Sequence, residues 1–423
     1  MQGVSEAGHE IGQPILRASA RTHSLAGIEE ELARIWAATT LTTPGADGEP
    51  ERRVGARTSV LNLVVIARQP EVGEHAAAVI RMLTGRHPSR TLIVSSADPD
   101  GPSWIDARVE AHCVLPRSDA AETCAEFIDL VAGGETGRHV AAIVAPLLIH
   151  DLPVTLWWPG DPPLASRQAL DLLDMSDRLV VDGSHWSGDG LDRLRALAGI
   201  VGDHDVARGG LAVSDFAMIR QSRWREAIAS SFDRPELRPF LRSLTGIVVT
   251  YAIHPGPAHR EANVIKPLYH VAWLASRLGM TVAIPLHEAA AARSGGTNAG
   301  VARAASAEDP KGMPPARTGE LRAGRRLVAV TLRPTESTMP PGTTLIVELD
   351  ARRRGVPLRI EVSAEAEAVI VRARLDGREL PERRFMAPRR AEVDLLLESV
   401  ESVGRDPVAV AALLTAAELA GAA

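Results

Sequence analysis

The hydrophobic positions near residue 60 predict a strand, a helix and a second strand in succession. Apart from Asn62, Val60 to Ala67 is a continuous apolar run rich in β-branched side chains, which is typical of a strand buried on both faces. From Glu71 to Leu83 the apolar positions recur at helical spacing, and Thr91 to Val94 begins another apolar strand. A strand–helix–strand unit of this length connects parallel strands, so we expect a parallel pair.

A different pattern follows from Trp104 to Leu115, where apolar and polar residues alternate. One face carries apolar side chains and Cys113, and the other carries Asp106, Arg108, Glu110 and His112. This alternation predicts an antiparallel strand with one solvated face, and therefore a mixed sheet.

Beyond Leu152 to Trp157, which is a short apolar strand, helical and strand patterns continue to alternate up to Leu286. One predicted helix runs from Ser214 to Asp233. Residues 287–325 contain few large apolar side chains and indicate a linker or insertion. Four strand patterns then resemble an antiparallel meander, and two helices end the chain.

We therefore predict an α/β protein with mixed sheets and flanking helices in two α/β domains, plus a C-terminal region of strands and helices. The predicted boundaries are 1–57 for an N-terminal helical arm, 58–160 for the first α/β domain, 161–286 for the second, 287–325 for the linker and 326–423 for the C-terminal meander with its helices.

Composition narrows the classes of partner. The chain has 423 residues, 45% of them hydrophobic, and a formal net charge of -6. The modest acidic charge gives no reason to expect binding to nucleic acid or to an anionic membrane. Because we find neither a secretory signal pattern nor an apolar run long enough to span a bilayer, we expect a cytoplasmic protein.

The chain has 2 cysteines, Cys113 and Cys124. Two are too few for a disulfide framework, so a reducing compartment fits. Cys113 lies on the apolar face of its strand, which favours a small buried side chain over a reactive thiol. Cys124 begins another apolar segment and is expected to be more exposed. A thiol switch through both residues is the alternative, which makes them redox candidates.

The search for catalytic chemistry finds no complete constellation. The loop after the first strand carries Pro70 and Glu71 where phosphate binding requires glycines, so a nucleotide site is not expected. His139 and His150 lack a third metal ligand, and His150 followed by Asp151 is explained by helix capping at least as well as by acid–base chemistry. We predict no catalytic residue, no bound metal and no cofactor.

Two groups of residues are candidates for binding. Trp157 and Trp158 end a strand at its carboxyl side, where partners dock in open α/β sheets, although core packing explains the pair equally well. On the predicted helix from Ser214 to Asp233, an apolar stripe that includes Trp224 is flanked by Arg220 and Arg225. These arginines form either surface salt bridges or a face for acidic groups.

Five segments in order resemble the OpcA family of glucose-6-phosphate dehydrogenase assembly proteins over roughly residues 58–286. They are Leu61-Asn62-Leu63-Val64-Val65; His87-Pro88-Ser89-Arg90-Thr91; Asp151-Leu152-Pro153-Val154 followed by Trp157-Trp158-Pro159-Gly160; Trp224-Arg225-Glu226 with Phe232-Asp233; and Trp273-Leu274-Ala275-Ser276-Arg277-Leu278-Gly279. Met218 and Met280 stand where the family tends to have aromatic side chains. The resemblance also implies a thiol-based redox link in cyanobacterial relatives.

The resemblance implies a non-catalytic factor that binds glucose-6-phosphate dehydrogenase, promotes its active oligomeric state as an allosteric activator, and supports the oxidative pentose phosphate pathway and NADPH production. The predicted partner surface comprises Trp157, Trp158, Arg220, Trp224, Arg225, His87 and Arg90. The alternative function is an enzyme or sensor that binds a sugar phosphate in a crevice near Trp158 and Asp182, held by Arg90 or Arg225.

Overall fold

The structure, a computed structural model, describes residues 15–38, 40–44, 50–54, 56–98, 100–114, 123–164, 166–207, 210–254, 262–289 and 313–421. The chain forms two compact units. Unit 1 comprises Met1–Val181 and Ala391–Gly404, and unit 2 comprises Asp182–Arg390 and Arg405–Ala423. Each unit combines helices with a mixed sheet, which confirms the predicted α/β class.

The strands are β1 (Ile15–Thr22), β2 (Thr40–Pro44), β3 (Pro50–Val54), β4 (Ala56–Arg57), β5 (Leu61–Ala67), β6 (Ser89–Ala97), β7 (Trp104–Val114), β8 (Thr123–Gly133), β9 (Val154–Trp158), β10 (Arg178–Val181), β11 (Ala212–Asp215), β12 (Leu244–Ile253), β13 (Thr281–Glu288), β14 (Arg317–Ala323), β15 (Arg326–Glu336), β16 (Thr344–Arg353), β17 (Val356–Glu365), β18 (Ala368–Leu375), β19 (Arg378–Glu379) and β20 (Arg383–Met386).

The helices are α1 (Leu25–Ala38), α2 (Pro70–Arg81), α3 (Gly134–Arg138), α4 (Val140–Val144), α5 (Arg167–Asp174), α6 (Leu191–Ala207), α7 (Phe216–Ile219), α8 (Ser222–Ser231), α9 (Ile265–Leu278), α10 (Glu392–Glu401) and α11 (Pro407–Ala420).

The sheet of unit 1 is built around the predicted strand–helix–strand unit. Within this unit the strand order is β1-β7-β8-β6-β5-β9-β10. Strands β5 and β6 are parallel, as predicted, and β9 extends the parallel part. Strand β7 is antiparallel to β8, which makes the sheet mixed. Strands β2 and β3 form a separate antiparallel pair within residues 1–57, the segment predicted as a helical arm.

Helix α2 packs on β5 and β6 through small and branched side chains. Pro70 starts the helix and Glu71 lies in its first turn, where a negative charge complements the helix dipole. Ala76, Val79 and Ile80 are buried. A Cβ atom at Gly73 would lie 3.0 Å from Ile93 Cγ2, so the glycine permits the close approach of helix and sheet.

The sheet of unit 2 has β12 in its interior. Its strand order is β13-β14-β15-β12-β16-β17-β18-β19, with β20 paired to β18. Strand β12 is parallel to β15 and antiparallel to β16. The strands predicted as a separate C-terminal meander thus supply both neighbours of β12, because a buried strand needs backbone partners on each edge.

The structural division therefore differs from the predicted boundaries. Strand β10 pairs in register with β9, which places the first break after Val181 rather than at residue 160. The predicted linker 287–325 contains the end of β13 and all of β14, whereas residues 290–312 lie outside the described part of the chain. Helix α10 belongs to unit 1 although the chain has already formed most of unit 2.

One predicted helix is interrupted. The segment predicted as one helix from Ser214 to Asp233 instead contains the end of β11, followed by α7 and α8. The Asp215 carboxylate accepts a hydrogen bond from the Ala217 amide and so starts a helix inside the segment. His139 precedes α4, and a 3-10 turn at Ala145–Leu147 follows that helix, so His139 and His150 do not share one continuous helical face.

Candidate functional site

Unit 2 contains a concave pocket with a volume of about 420 Å³, which we call the basic cleft. Its walls come from the turn after Asp182, the junction of α7 and α8, the first turn of α9 and the loops near residues 340, 365 and 388. Its charged lining comprises Arg220, Arg223, Lys266, Arg389 and Arg390 against the single carboxylate of Glu365, with His185 at the edge. The cleft therefore favours anions.

Arg220 is anchored beside the cleft by a buried carboxylate. Its Nη1 donates to Asp182 Oδ2 at 2.6 Å and to Ser184 Oγ at 3.2 Å. Asp182 also faces His185, with 3.2 Å between Oδ2 and Nδ1. Burial raises the pKa of Asp182, but Arg220, His185 and Ser184 together outweigh it, so this pKa lies below its usual range.

Asp215 is a second buried carboxylate in the same unit. It accepts hydrogen bonds from the Gly183 amide at 2.9 Å, from the Ala217 amide at 2.8 Å and from the Tyr269 hydroxyl at 2.7 Å. Burial, followed by the charge of Asp182, raises the pKa of Asp215 to about 6 despite these donors. Its contacts are all structural, since they link the turn at Gly183, the start of α7 and helix α9.

Trp224 lines the basic cleft and packs on a buried histidine. The centroids of the Trp224 and His270 rings are 5.3 Å apart. Neither ring nitrogen of His270 has a hydrogen-bond partner among the described residues. Burial, with the nearby charge of Arg225, lowers the pKa of His270 to about 3, so the ring is neutral near pH 7. Arg225 donates to the Met218 carbonyl at 2.7 Å and ties α8 to α7.

The predicted aromatic pair lies in the core of unit 1. Trp157 is fully buried and Trp158 is 4% exposed. Both belong to β9, which has a strand neighbour on each side within the unit. The expectation that these indoles form a partner surface is therefore corrected to core packing. The same burial leaves Trp158 no exposed ring to offer a ligand, and Asp182 is occupied by Arg220.

His87 and Arg90 act as internal connections in unit 1. Arg90 is 4% exposed and donates to Glu126 Oε2 at 2.7 Å, to Glu29 Oε1 at 2.8 Å and to the Leu147 carbonyl at 2.9 Å. His87 Nε2 lies 3.2 Å from Glu401 Oε1, so it links α10 to the segment before β6. Because it is buried, Arg90 presents almost no surface to a sugar phosphate or a partner.

The two cysteines form a disulfide, Cys113–Cys124. The antiparallel register of β7 and β8 places Cys113 directly opposite Cys124, a relation that the sequence did not reveal because residues 114–123 separate them. Both are fully buried, so the expectation of an exposed Cys124 and of free thiols is corrected. The redox role predicted for the pair stays a prediction.

Among the residues that the structure describes, no group of three or more His, Cys, Asp or Glu side chains is arranged to hold a metal ion. In the same part of the chain, no helix is long and apolar enough to cross a membrane.

Comparison with known proteins shows the family. Residues 80–198 match a family model described as the N-terminal domain of a glucose-6-phosphate dehydrogenase subunit, OpcA. Residues 211–413 match the model of the C-terminal domain of the same subunit. The chain belongs to the OpcA family. The family resemblance of the five sequence segments is thereby confirmed, and membership extends into the C-terminal strands, where no matching segment was recognised.

A curated relative is a candidate OxPP cycle protein, OpcA, of Synechocystis sp., which is 24% identical over 236 residues. The match covers 55% of this chain and 46% of that protein, so the chain spans about half the length of this relative. Solved structures that resemble this chain include levoglucosan dehydrogenase in complex with NADH and L-sorbose. The TM-score is 0.42 at 10% identity, and the match covers 85% of this chain and 90% of that chain. They also include the transcriptional regulator Gal80p from Kluyveromyces lactis (TM-score 0.42, 10% identity, 86% and 88%).

Sequence reasoning placed Arg220 and Trp224 near a site but missed Lys266 and Arg389, which the structure brings to the same cleft. One signal was available, since Lys266 is one of 2 lysines in a chain whose other basic residues are arginine and histidine. Arg389 carried no such signal, because it lies in a polar segment between β20 and α10 that has no periodic pattern.

Proposed function

We propose that this protein binds glucose-6-phosphate dehydrogenase and promotes its active oligomeric state, without catalysing a reaction itself. The observation that carries the proposal is family membership: two models described as domains of a glucose-6-phosphate dehydrogenase subunit match successive parts of the chain. The name of the Synechocystis relative supports a place in the oxidative pentose phosphate pathway. The protein would then support NADPH production in the cytoplasm.

The proposed mechanism is a population shift. An adaptor that binds one oligomeric or conformational state of the dehydrogenase more tightly than the others moves the enzyme toward that state. The size of the activation is set by the difference between these affinities, and a tenfold preference corresponds to about 1.4 kcal/mol. An adaptor that bound all states with equal affinity would leave their populations, and therefore the activity of the dehydrogenase, unchanged.

Burial restricts which of the predicted contact residues can take part. Trp157, Trp158 and Arg90 are buried, whereas Trp224 keeps part of its ring accessible on α8 next to the exposed Arg223. Because tryptophan and arginine side chains dominate interface energetics, we propose the exposed part of α8 as a contact with the dehydrogenase.

The test is a titration of the purified protein into its cognate dehydrogenase, with oligomeric mass measured by light scattering and turnover measured in parallel. We expect a saturable rise in mass and in rate, and no NADPH formation from glucose 6-phosphate when the dehydrogenase is left out. Unchanged mass, turnover and sugar-phosphate affinity at saturating ratios would refute the proposal.

A pair of matched variants tests the contact surface in the same assay. Trp224→Ala should weaken the activation by at least about tenfold in half-saturating concentration, as expected for an interface anchor. Trp104→Ala removes an indole that is 38% exposed in unit 1 and should leave the activation unchanged. If both variants activate like the unmodified protein, α8 is not the contact.

A further inference from the structure

Two cations in the basic cleft lack a counter-charge. Lys266 Nζ and the Arg389 guanidinium make no hydrogen bond or ion pair with any residue that the structure describes. By contrast, Arg220 is paired with Asp182, and Arg223 is paired with Glu226, with 2.7 Å between Arg223 Nη1 and Glu226 Oε2. Lys266 is partly buried, and a lysine in such a position usually has an acidic partner, whereas Arg389 is exposed. Because neither side chain meets a carboxylate of the described residues, the cleft holds more positive charge than its own side chains neutralise.

The pKa of Lys266 reflects this excess of positive charge. Burial lowers its pKa, and the charges of Arg220 and Arg389 lower it further, against an opposing effect of Asp182. Two other cations thus stand close enough to Lys266 to disfavour its charged form. A bound anion would relieve this repulsion, whereas a neutral or cationic ligand would not.

The polar walls of the cleft add a second requirement. Thr344 Oγ1 and Gln221 Oε1 are buried and have no hydrogen-bond partner among the described residues. The Gln221 amide nitrogen donates to the Lys266 carbonyl at 2.6 Å, which fixes Oε1 as the free acceptor. A buried polar atom without a partner costs about 1–3 kcal/mol, and a ligand or a water is the usual explanation. A hydroxyl group is a ligand donor that suits such an acceptor.

We propose that the basic cleft binds a small phosphorylated polyol, with the phosphate held by Lys266 and Arg389 beside Arg220 and a hydroxyl group directed toward Gln221. The volume of about 420 Å³ lies within the range of small-molecule sites. The half-buried ring of Trp224 supplies an apolar wall. The unpartnered Gln221 Oε1 favours a ligand with hydroxyl groups over an acidic peptide segment, because carboxylate side chains only accept hydrogen bonds. The proposal goes beyond the dehydrogenase interaction, because the site requires no second protein.

The probe is glucose 6-phosphate, titrated calorimetrically into the full-length protein without dehydrogenase. Glucose and sodium sulfate at equal concentration and ionic strength serve as ligand controls. We expect saturable binding of the sugar phosphate, no binding of glucose and much weaker binding of sulfate. Thermal unfolding should shift upward with glucose 6-phosphate concentration, since a ligand of the native state stabilises it.

The variants Lys266→Gln and Arg389→Gln should each weaken binding of glucose 6-phosphate by about tenfold or more, because each removes a charge-assisted contact to phosphate. Arg378→Gln removes an exposed arginine of unit 2 outside the cleft and should bind like the unmodified protein. Circular dichroism of each variant checks that the fold is retained.

Three results would overturn the proposal: no binding of glucose 6-phosphate, sulfate binding as tight as that of the sugar phosphate, or variants in the cleft that bind unchanged. Binding of an acidic peptide through Lys266 and Arg389, with no binding of the sugar phosphate, would assign the cleft to a protein partner instead. Each result is independent of whether the protein activates the dehydrogenase.

Discussion

Asp215 shows how one buried side chain couples local structure to pH. Three donors hold its carboxylate, yet burial and the neighbouring charge of Asp182 raise its pKa to about 6 from 3.8. The unfolded chain loses this proton at lower pH than the folded chain does. The protonated carboxyl group of Asp215 therefore favours folding below pH 4, and this contribution is lost as the pH rises through about 6.

The variant Asp215→Asn should remove this pH dependence. Asparagine keeps an acceptor for the two amides and can donate to the Tyr269 hydroxyl, so the contacts survive without a titrating group. Between pH 4 and pH 7 the free energy of unfolding of the unmodified protein should fall relative to that of the variant by about 2 kcal/mol, which is most of the full effect of the pKa shift at about 1.36 kcal/mol per pKa unit. Urea denaturation at several pH values measures the difference.

The control for this experiment is Asp171→Asn, which removes an exposed carboxylate on α5. Its stability should follow that of the unmodified protein across the same pH range. A constant difference in stability between Asp215→Asn and the unmodified protein, from pH 4 to pH 7, would show that the folded-state pKa of Asp215 is not raised.

Buried polar residues were the hardest to predict at this scale. The alternation along β7 assigned Glu110 and His112 to a solvated face, but they are 3% and 6% exposed. Arg81 reaches them from α2, with 3.0 Å between its Nη2 and Glu110 Oε2. A polar side chain on a strand looks the same in the sequence whether water or another element satisfies it. Only the tertiary partner distinguishes the two cases. The buried pair of Arg90 and Glu126 is a second example.

Elements whose periodicity agrees with their packing were predictable. Strand β5, helix α2 and strand β6 follow the predicted pattern because an uninterrupted apolar strand and an amphipathic helix can be buried in one way only. The segment from Ser214 to Asp233 was not, because its apolar spacing fits one helix while the Asp215 cap begins a new helix within it. The basic cleft escaped prediction because its cations are far apart in sequence.

The hairpin of β7 and β8 is the element whose stability depends on covalent chemistry. The disulfide Cys113–Cys124 closes a loop with a sequence separation of 11. A loop of this size stabilises a fold by about 2–4 kcal/mol, chiefly through constraint of the unfolded chain. Reduction should lower the free energy of unfolding by that amount, measured by urea denaturation with and without reductant after a thiol count.

The double variant Cys113→Ser with Cys124→Ser is the matched control, since its stability should not respond to reductant. A fully reduced protein that unfolds at the same urea concentration as the oxidised one would contradict the expected stabilisation. A reversible effect of reductant on dehydrogenase activation would in addition connect this element with the redox role predicted for the two cysteines.

At the scale of the whole molecule, chain order and spatial order differ. Residues after 286 contribute to both units: β15 and β16 are the neighbours of β12 in unit 2, and α10 belongs to unit 1. The sequence suggested a detachable C-terminal region because local patterns cannot show which distant strand a new strand will join. The structure instead makes residues 313–421 part of both folding units.

A chain truncated to residues 1–286 should therefore fail to fold cooperatively. Strand β12, whose Ile247, Val249 and Tyr251 are buried, would lose its partners on both edges and expose unpaired backbone groups. We expect aggregation or a broad thermal transition, with loss of near-ultraviolet circular dichroism.

Co-expression of residues 287–423 is the control, because the missing strands supplied as a second chain should restore a soluble complex. A truncated chain that unfolds in one sharp transition would show that the C-terminal strands are an independent addition, and dehydrogenase activation by such a chain would place the contact surface entirely within residues 1–286.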